Sequence, residues 1–309
     1  MRRRPGDMSF QRQRALAITG LVMTTLFWGG NALVARATAE TIPPLALSFW
    51  RWFIPCIYLL PFTIRAFYRY RHTLRQSRLK VLLLALFSVG AYNTILYLAA
   101  QSTTAINIAL VAATMPLMIV LLSALILRVL PGGWPWLGLI SALAGVLTIL
   151  SQASADRILS ITFNPGDVLM VLSITCWALY SVLLKRWPLA IPPFPLLCIL
   201  ITLGVPMILP FYLWELAREG GFALNTGTVG ALLYVGTLPS VAAYSLWING
   251  LREMGPGTAG LFAYLIPVFT ALIAVPVLGE SIELYHAIGG ALVLIGLIAA
   301  SRQQATIRG

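Results

Sequence analysis

Ten stretches of this sequence are each apolar enough, over about 20 residues, to cross a lipid bilayer. They run approximately over residues 15–35, 45–67, 79–100, 104–127, 133–151, 166–184, 194–214, 227–251, 258–278 and 282–300. No water can satisfy a backbone in hydrocarbon, so such runs are expected as helices that close their own hydrogen bonds. What remains of the 309 residues is two short tails and nine short connections, too little for a soluble catalytic or ligand-binding domain. Only 10% of the residues are charged, against about a quarter in an average soluble domain, which excludes a water-soluble globule. The same hydrophobicity excludes a disordered chain. The first run is too long for a signal-peptide core and has no convincing cleavage site, so it is read as a membrane helix.

A net charge of +12 suggests a nucleic-acid partner only until the charges are placed. Ten spans put both tails on one side. That side collects 17 of the 21 Lys and Arg residues, among them Arg2, Arg3, Arg4, Arg12, Arg14 and the Arg65–Lys80 connection, while the opposite side has only Arg36, Arg157 and Arg218. Lys and Arg accumulate on the cytoplasmic face. The N-terminal tail (1–14) and the C-terminus are therefore expected in the cytoplasm of a cell whose inner (cytoplasmic) membrane holds the chain. Seven of the nine acidic residues fall on the other face. Basic residues divided among short loops do not make a nucleic-acid patch; the partner they suit is the lipid bilayer, through its anionic headgroups.

The chain matches itself at a nearly constant offset. Thr24, Trp28 and Arg36 fall on Ser173, Trp177 and Lys185; Ser88, Val89 and Tyr92 on Ser240, Val241 and Tyr244; Pro116 on Pro267; Gly138 and Gly145 on Gly289 and Gly296. The expected domains are a five-helix repeat over 1–155 and a second over 156–309. Five spans is an odd number, so the second copy enters from the opposite side, the arrangement that builds many secondary transporters around a site at the midplane. The expectation is an all-α integral membrane protein of ten transmembrane helices in two inverted five-helix repeats. A chain that already holds both units can work as a monomer.

The sequence also resembles the EamA branch of the drug/metabolite transporter superfamily across nearly its whole length. The resemblance rests on Phe27-Trp28-Gly29-Gly30-Asn31, Phe49-Trp50-Arg51-Trp52, Gly166-Asp167 with Trp177-Ala178, and Pro267 followed by Leu278-Gly279-Glu280. The first repeat departs from the pattern, with Leu127-Arg128 where the family often has Gly-Glu. The resemblance implies an inner-membrane exporter of amino acids or similar metabolites, aromatic amino acids in some members. It also implies a cavity built from the first, third and fourth spans of each repeat.

Polar groups at membrane depth usually face protein or a water-filled cavity. Thr24, Trp28 and Asn31 share one face of the first span, and Ser173, Trp177 and Tyr180 the related face of the sixth. Tyr92 stands beside the Asn93–Tyr97–Gln101 face of the third span, and Ser240, Tyr244 and Trp247 share a face of the eighth, with Asn249 on another. Asn107 in the fourth span and Tyr264 in the ninth complete the substrate-binding set. Rings would bury a side chain while amides grip an ammonium and a carboxylate. The alternative for these groups is helix-to-helix glue or interface anchoring.

Arg51 is the sole charge well inside a span. It is expected to snorkel to the outer interface or to pair with Glu280 or Glu283, the functional alternatives being a carboxylate anchor or an outer gate. Pro116 and Pro267 suit gating bends. The small-residue faces of Gly138–Gly145 and Gly289–Gly296 suggest contact between the fifth and tenth spans. No acidic residue lies near the middle of a span, which favours a facilitator over a proton-coupled carrier. Cys56, Cys176 and Cys198 lie in apolar runs without metal-ligand spacing. Neither a phosphate-binding loop nor a metalloprotease or nucleophile-elbow motif is present, so no cofactor and no enzymatic activity are expected. The function expected is export of amino acids or related small metabolites by alternating access. The rivals are export or flipping of hydrophobic drugs or lipid-linked metabolites, a non-transporting membrane protein, and an intramembrane enzyme.

Overall fold

The computed structural model describes residues 5–38, 40–103, 105–129, 133–154, 156, 159, 164–278 and 283–306. Among these the chain is all-helical. In chain order the helices are α1 (Pro5–Ala37), α2 (Pro44–Tyr58), α3 (Leu60–Arg69), α4 (Arg71–Gln76), α5 (Arg78–Ala85), α6 (Tyr92–Ala100), α7 (Ala105–Ala113), α8 (Met115–Leu127) and α9 (Gly133–Ser151). They continue with α10 (Pro165–Arg186), α11 (Pro193–Glu219), α12 (Thr226–Thr237), α13 (Ala243–Met254), α14 (Pro256–Leu261), α15 (Leu265–Leu278) and α16 (Leu284–Thr306). Joined through their breaks, these give seven helices long and apolar enough to cross a membrane, or eight if the bent pair α2–α3 is one span. Two shorter apolar helices cover Trp136–Ser151 and Leu284–Ala299. Large apolar side chains such as Leu125, Ile140, Val168, Leu213 and Ile298 cover the outside, as a lipid-facing surface requires.

The departures from straight helices have physical causes. The second apolar run, expected as one span, bends by 72° between Tyr58 and Leu60. Pro55 lies inside α2 and Pro61 in the first turn of α3, and each removes a backbone donor and crowds the carbonyl four residues back. π-Helical turns at Leu86–Ala91 and Leu238–Ala242 interrupt the runs α5–α6 and α12–α13. The fourth run breaks at Thr114, just before Pro116, and the ninth passes through a 3₁₀ turn, Phe262–Tyr264, just before Pro267. α1 starts at Pro5 and so runs ahead of the first apolar stretch.

Helices from the two halves of the chain interleave. α1 packs on α13 and α15, while α10 packs on α6 and α8. α2 packs on α11, and α9 on α16. The last pair meets through the glycine faces: a Cβ on Gly296 would lie 2.5 Å from the Gly138 carbonyl oxygen, and Ser141 donates to the Leu292 carbonyl at 2.9 Å. Thr24 on α1 donates to the carbonyl of Ala243, and Ser173 on α10 to that of Tyr92. Each acceptor is the first residue after a π turn.

Two buried carboxylates tie the bundle down. Asp167 closes a capping box with Asn164 at the start of α10 and also accepts from Thr103 and from Asn107 Nδ2. Glu215, near the end of α11, accepts the first-turn amides of α2, from Leu45 at 2.9 Å and Ala46 at 2.6 Å. A negative charge against a helix N-terminus offsets the unsatisfied donors there.

Candidate functional site

Four helices drawn from both halves bring their aromatic faces together. Trp28 (α1) lies 5.2 Å from Trp177 (α10), 5.2 Å from Trp247 and 5.9 Å from Tyr244 (both α13), measured between ring centroids. Trp177 also contacts Tyr92 (α6) at 4.9 Å and Tyr180 at 5.3 Å. The contacts are tilted or edge-on, the geometry aromatic quadrupoles prefer. Trp177, Tyr180, Tyr244 and Trp247 are fully buried, as is Tyr264 at the 3₁₀ break. The Trp177 and Trp247 indole N–H groups and the Tyr180 and Tyr264 hydroxyls have no hydrogen-bond partner among the described residues. Unsatisfied buried polar atoms are rare in folded proteins and call for an explanation. Trp28 Nε1, by contrast, donates to the Pro239 carbonyl exposed at a π turn.

Beside the rings sits a polar cluster centred on Arg51, which is only 3% exposed. Its Nε donates to Ser240 Oγ at 2.8 Å, and its Nη1 reaches Asn31 Oδ1 and Asn93 Oδ1 at 3.4 Å each. The guanidinium also lies 5.4 Å from the Trp52 ring centroid, within cation–π range. Asn93 Nδ2 donates to the Tyr244 hydroxyl, which donates onward to the Ser88 carbonyl, so Tyr244 belongs to both clusters. Snorkelling, one expectation for Arg51, does not fit this burial, while the expected pairing with Glu280 falls outside the described residues. Packing of α2 against α11 and α12 covers the residue laterally, and its partners are neutral amides and a hydroxyl. Glu283 is exposed.

The other residues singled out from the sequence divide. Tyr97 packs in a separate apolar cluster with Ile42, Ala46, Leu47, Leu232 and Val235. Asn107 is a correction: its amide holds the Asp167 carboxylate. Asn249 is two positions from Trp247 and so on a different face of α13 from the rings. Trp52 and Ser240 also enter the site, Trp52 having been named only in the Phe49–Trp52 motif and Ser240 on the Tyr244–Trp247 face, neither in the substrate-binding set.

A cavity walled by the aromatic residues is expected from the sequence, but here the rings touch one another. A cavity of about 460 Å³ instead lies between the end of α1 and the start of α12, lined by Val34, Thr38, Thr41, Thr228 and Tyr234 among others. Asn31, Val34 and Thr38 follow one another down one face of α1, so the cavity ends one helical turn from the Arg51 cluster.

The model of the EamA-like transporter family matches the chain twice, over residues 15–151 and 164–302. The uncharacterized transporter YyaM of Bacillus subtilis is 26% identical over 277 residues, covering 90% of each chain. An uncharacterized transporter of Archaeoglobus fulgidus is 29% identical over 291 residues, covering 92% of this chain and 96% of its own. The uncharacterized inner membrane transporter YedA of Escherichia coli is 27% identical over 267 residues, covering 84% and 81%. A crystal structure of another protein, 22% identical, superposes with a TM-score of 0.75 over 95% of this chain and 99% of that one, a likeness of fold.

Proposed function

The chain belongs to the EamA-like transporter family and is a multi-pass membrane transporter, and from that premise we propose that it exports amino acids with apolar or aromatic side chains, or related small metabolites, from the cytoplasm. The observation that carries this reading is the convergence of rings from α1, α6, α10 and α13 on one spot, with three of their polar atoms left without a partner among the described residues. A passing solute is what such atoms suit: its polar groups complete them in a conformation where the rings have parted, and its apolar body lies between the rings.

The proposed frame is ten spans in two inverted repeats, with both termini in the cytoplasm. Support comes from the family model matching once in each half. It also comes from π turns that begin at Leu86 and Leu238, and from a packing pattern that survives exchange of the halves. On this frame the 460 Å³ cavity opens outward and the ring cluster closes the path from the cytoplasm. Alternating access then exchanges the two, with the helix breaks at Pro116 and Pro267 as bending points.

The test is efflux from proteoliposomes loaded with the twenty amino acids, analysed by mass spectrometry against protein-free liposomes, with and without a pH gradient. Selective loss of aromatic or apolar amino acids is expected, at a rate independent of the gradient. No loss from folded protein would move the cargo to hydrophobic drugs or lipid-linked metabolites.

A further inference from the structure

We infer that Arg51 is the counter-charge for a substrate carboxylate, so that the transporter selects an aromatic or apolar monocarboxylate by its anionic group and does not require an ammonium. This rests on the proposed reading of the ring cluster as the solute site and deepens it.

A buried cation without an anion is among the costlier things a membrane protein can keep. Arg51 is such a cation: among the described residues no carboxylate lies within 4 Å of it, and its contacts are those to Ser240, Asn31, Asn93 and the Trp52 ring. Its donors are underused. A guanidinium offers five N–H groups, yet only the Nε bond to Ser240 has a good length. The two Nη1 contacts, at 3.4 Å, are beyond the usual range, and among the described residues Nη2 makes none. A planar donor fork so loosely held can accept both oxygens of a carboxylate, the strongest arrangement open to it.

The same surroundings offer an ammonium less than a carboxylate, only neutral oxygens and ring faces. Both amide oxygens of the cluster, on Asn31 and Asn93, already point at Arg51. Ser240 donates to the Val235 carbonyl, Tyr244 to that of Ser88, and Tyr234 to that of Phe27. No acidic side chain joins from α1, α2, α6, α12 or α13 among the described residues, and Arg51 itself repels a cation. The apolar body has a defined place. Tyr244 is hydrogen-bonded to Asn93 on one side and packs on Trp28, Trp52 and Trp177 on the other, so a carboxylate on Arg51 directs its attached ring into the aromatic cluster. The cavity one turn away has a volume in the range of small-molecule sites.

The test uses the wild-type protein in lipid nanodiscs and the fluorescence of its clustered tryptophans. Three probes share a phenyl ring and differ in charge: 3-phenylpropionate has only the carboxylate, 2-phenylethylamine only the ammonium, and L-phenylalanine both. Saturable quenching by 3-phenylpropionate and L-phenylalanine is expected, with 2-phenylethylamine weaker by on the order of tenfold or more. Equal or tighter binding of the amine would overturn the inference while leaving the solute site standing. Binding of none of the three would remove the solute site and the inference together. Arg51→Lys should keep the order of the probes. Arg51→Gln should abolish the preference for the carboxylate without weakening the amine, a change of ratio that a merely structural arginine would not produce.

Discussion

Asp167 and Glu215 are as deeply buried as Arg51, each 3% exposed, but the two carboxylates and the guanidinium are held in different ways. Asp167 receives donors from two side chains and a backbone amide on three segments of the chain, and Glu215 receives two backbone amides, all at ordinary or short distances. Their capacity is filled by groups whose positions are fixed by secondary structure. Among the described residues Arg51 has one good bond, two long ones and unused donors. A charge that only holds helices together needs its partners in place permanently, whereas one that binds a passing solute must keep some donors free. On the proposed reading the carboxylates are clasps, and the arginine belongs to the site.

The largest effect that would break or sharpen this contrast comes from Asp167→Ala. It removes the shared acceptor of Thr103, Asn107 and the Asn164 amide, with a loss of about 3 kcal/mol, read as a lower thermal unfolding midpoint of the purified protein that solute does not restore. Glu215→Gln keeps the shape and one acceptor but removes the charge at the start of α2, for a loss of about 1–2 kcal/mol in the same measurement. The smallest effects separate the tyrosines of the ring cluster. Tyr244→Phe loses only the long contacts with Asn93 and Ser88, at 3.4 and 3.3 Å, and costs at most about 1 kcal/mol. Tyr180→Phe and Tyr264→Phe remove hydroxyls without partners and should leave the midpoint unchanged or slightly raised. A loss in Tyr180→Phe equal to that in Tyr244→Phe would mean the hydroxyl is satisfied after all.

The helical, membrane-embedded character was legible because hydropathy over 20 residues is a strong local signal, and the contact between α9 and α16 because small residues recur on one face. The bend at Leu59 escaped a reading by runs, although Pro55 and Pro61 mark it, since an average over the run hides two prolines. The π turns carry no sequence signature of their own. Five of the ring residues, Trp28, Trp177, Tyr180, Tyr244 and Trp247, were singled out by helical spacing, and Tyr92 as the neighbour of the Asn93 face. The burial of Arg51 was missed for a physical reason. Its depth was measured along its own helix, but its burial is set sideways, by α11 and α12. Asp167 and Glu215 passed as charges on an outer loop because a partner far away in sequence, such as Leu45 for Glu215, cannot be seen from spacing. Asn107 was placed in the cavity by the same blindness to its distant acceptor.

The most direct measurement is the rate of L-phenylalanine efflux from proteoliposomes, per folded molecule, for Arg51→Gln and Glu215→Gln side by side. Arg51→Gln should stay within about 1 kcal/mol of wild-type stability, since loss of a buried, poorly paired charge costs little, yet carry no detectable flux. Glu215→Gln should be the less stable of the two and carry flux at close to the wild-type rate. Normal efflux through Arg51→Gln would contradict the assignment of the arginine to the site, and with it the distinction between clasp and anchor.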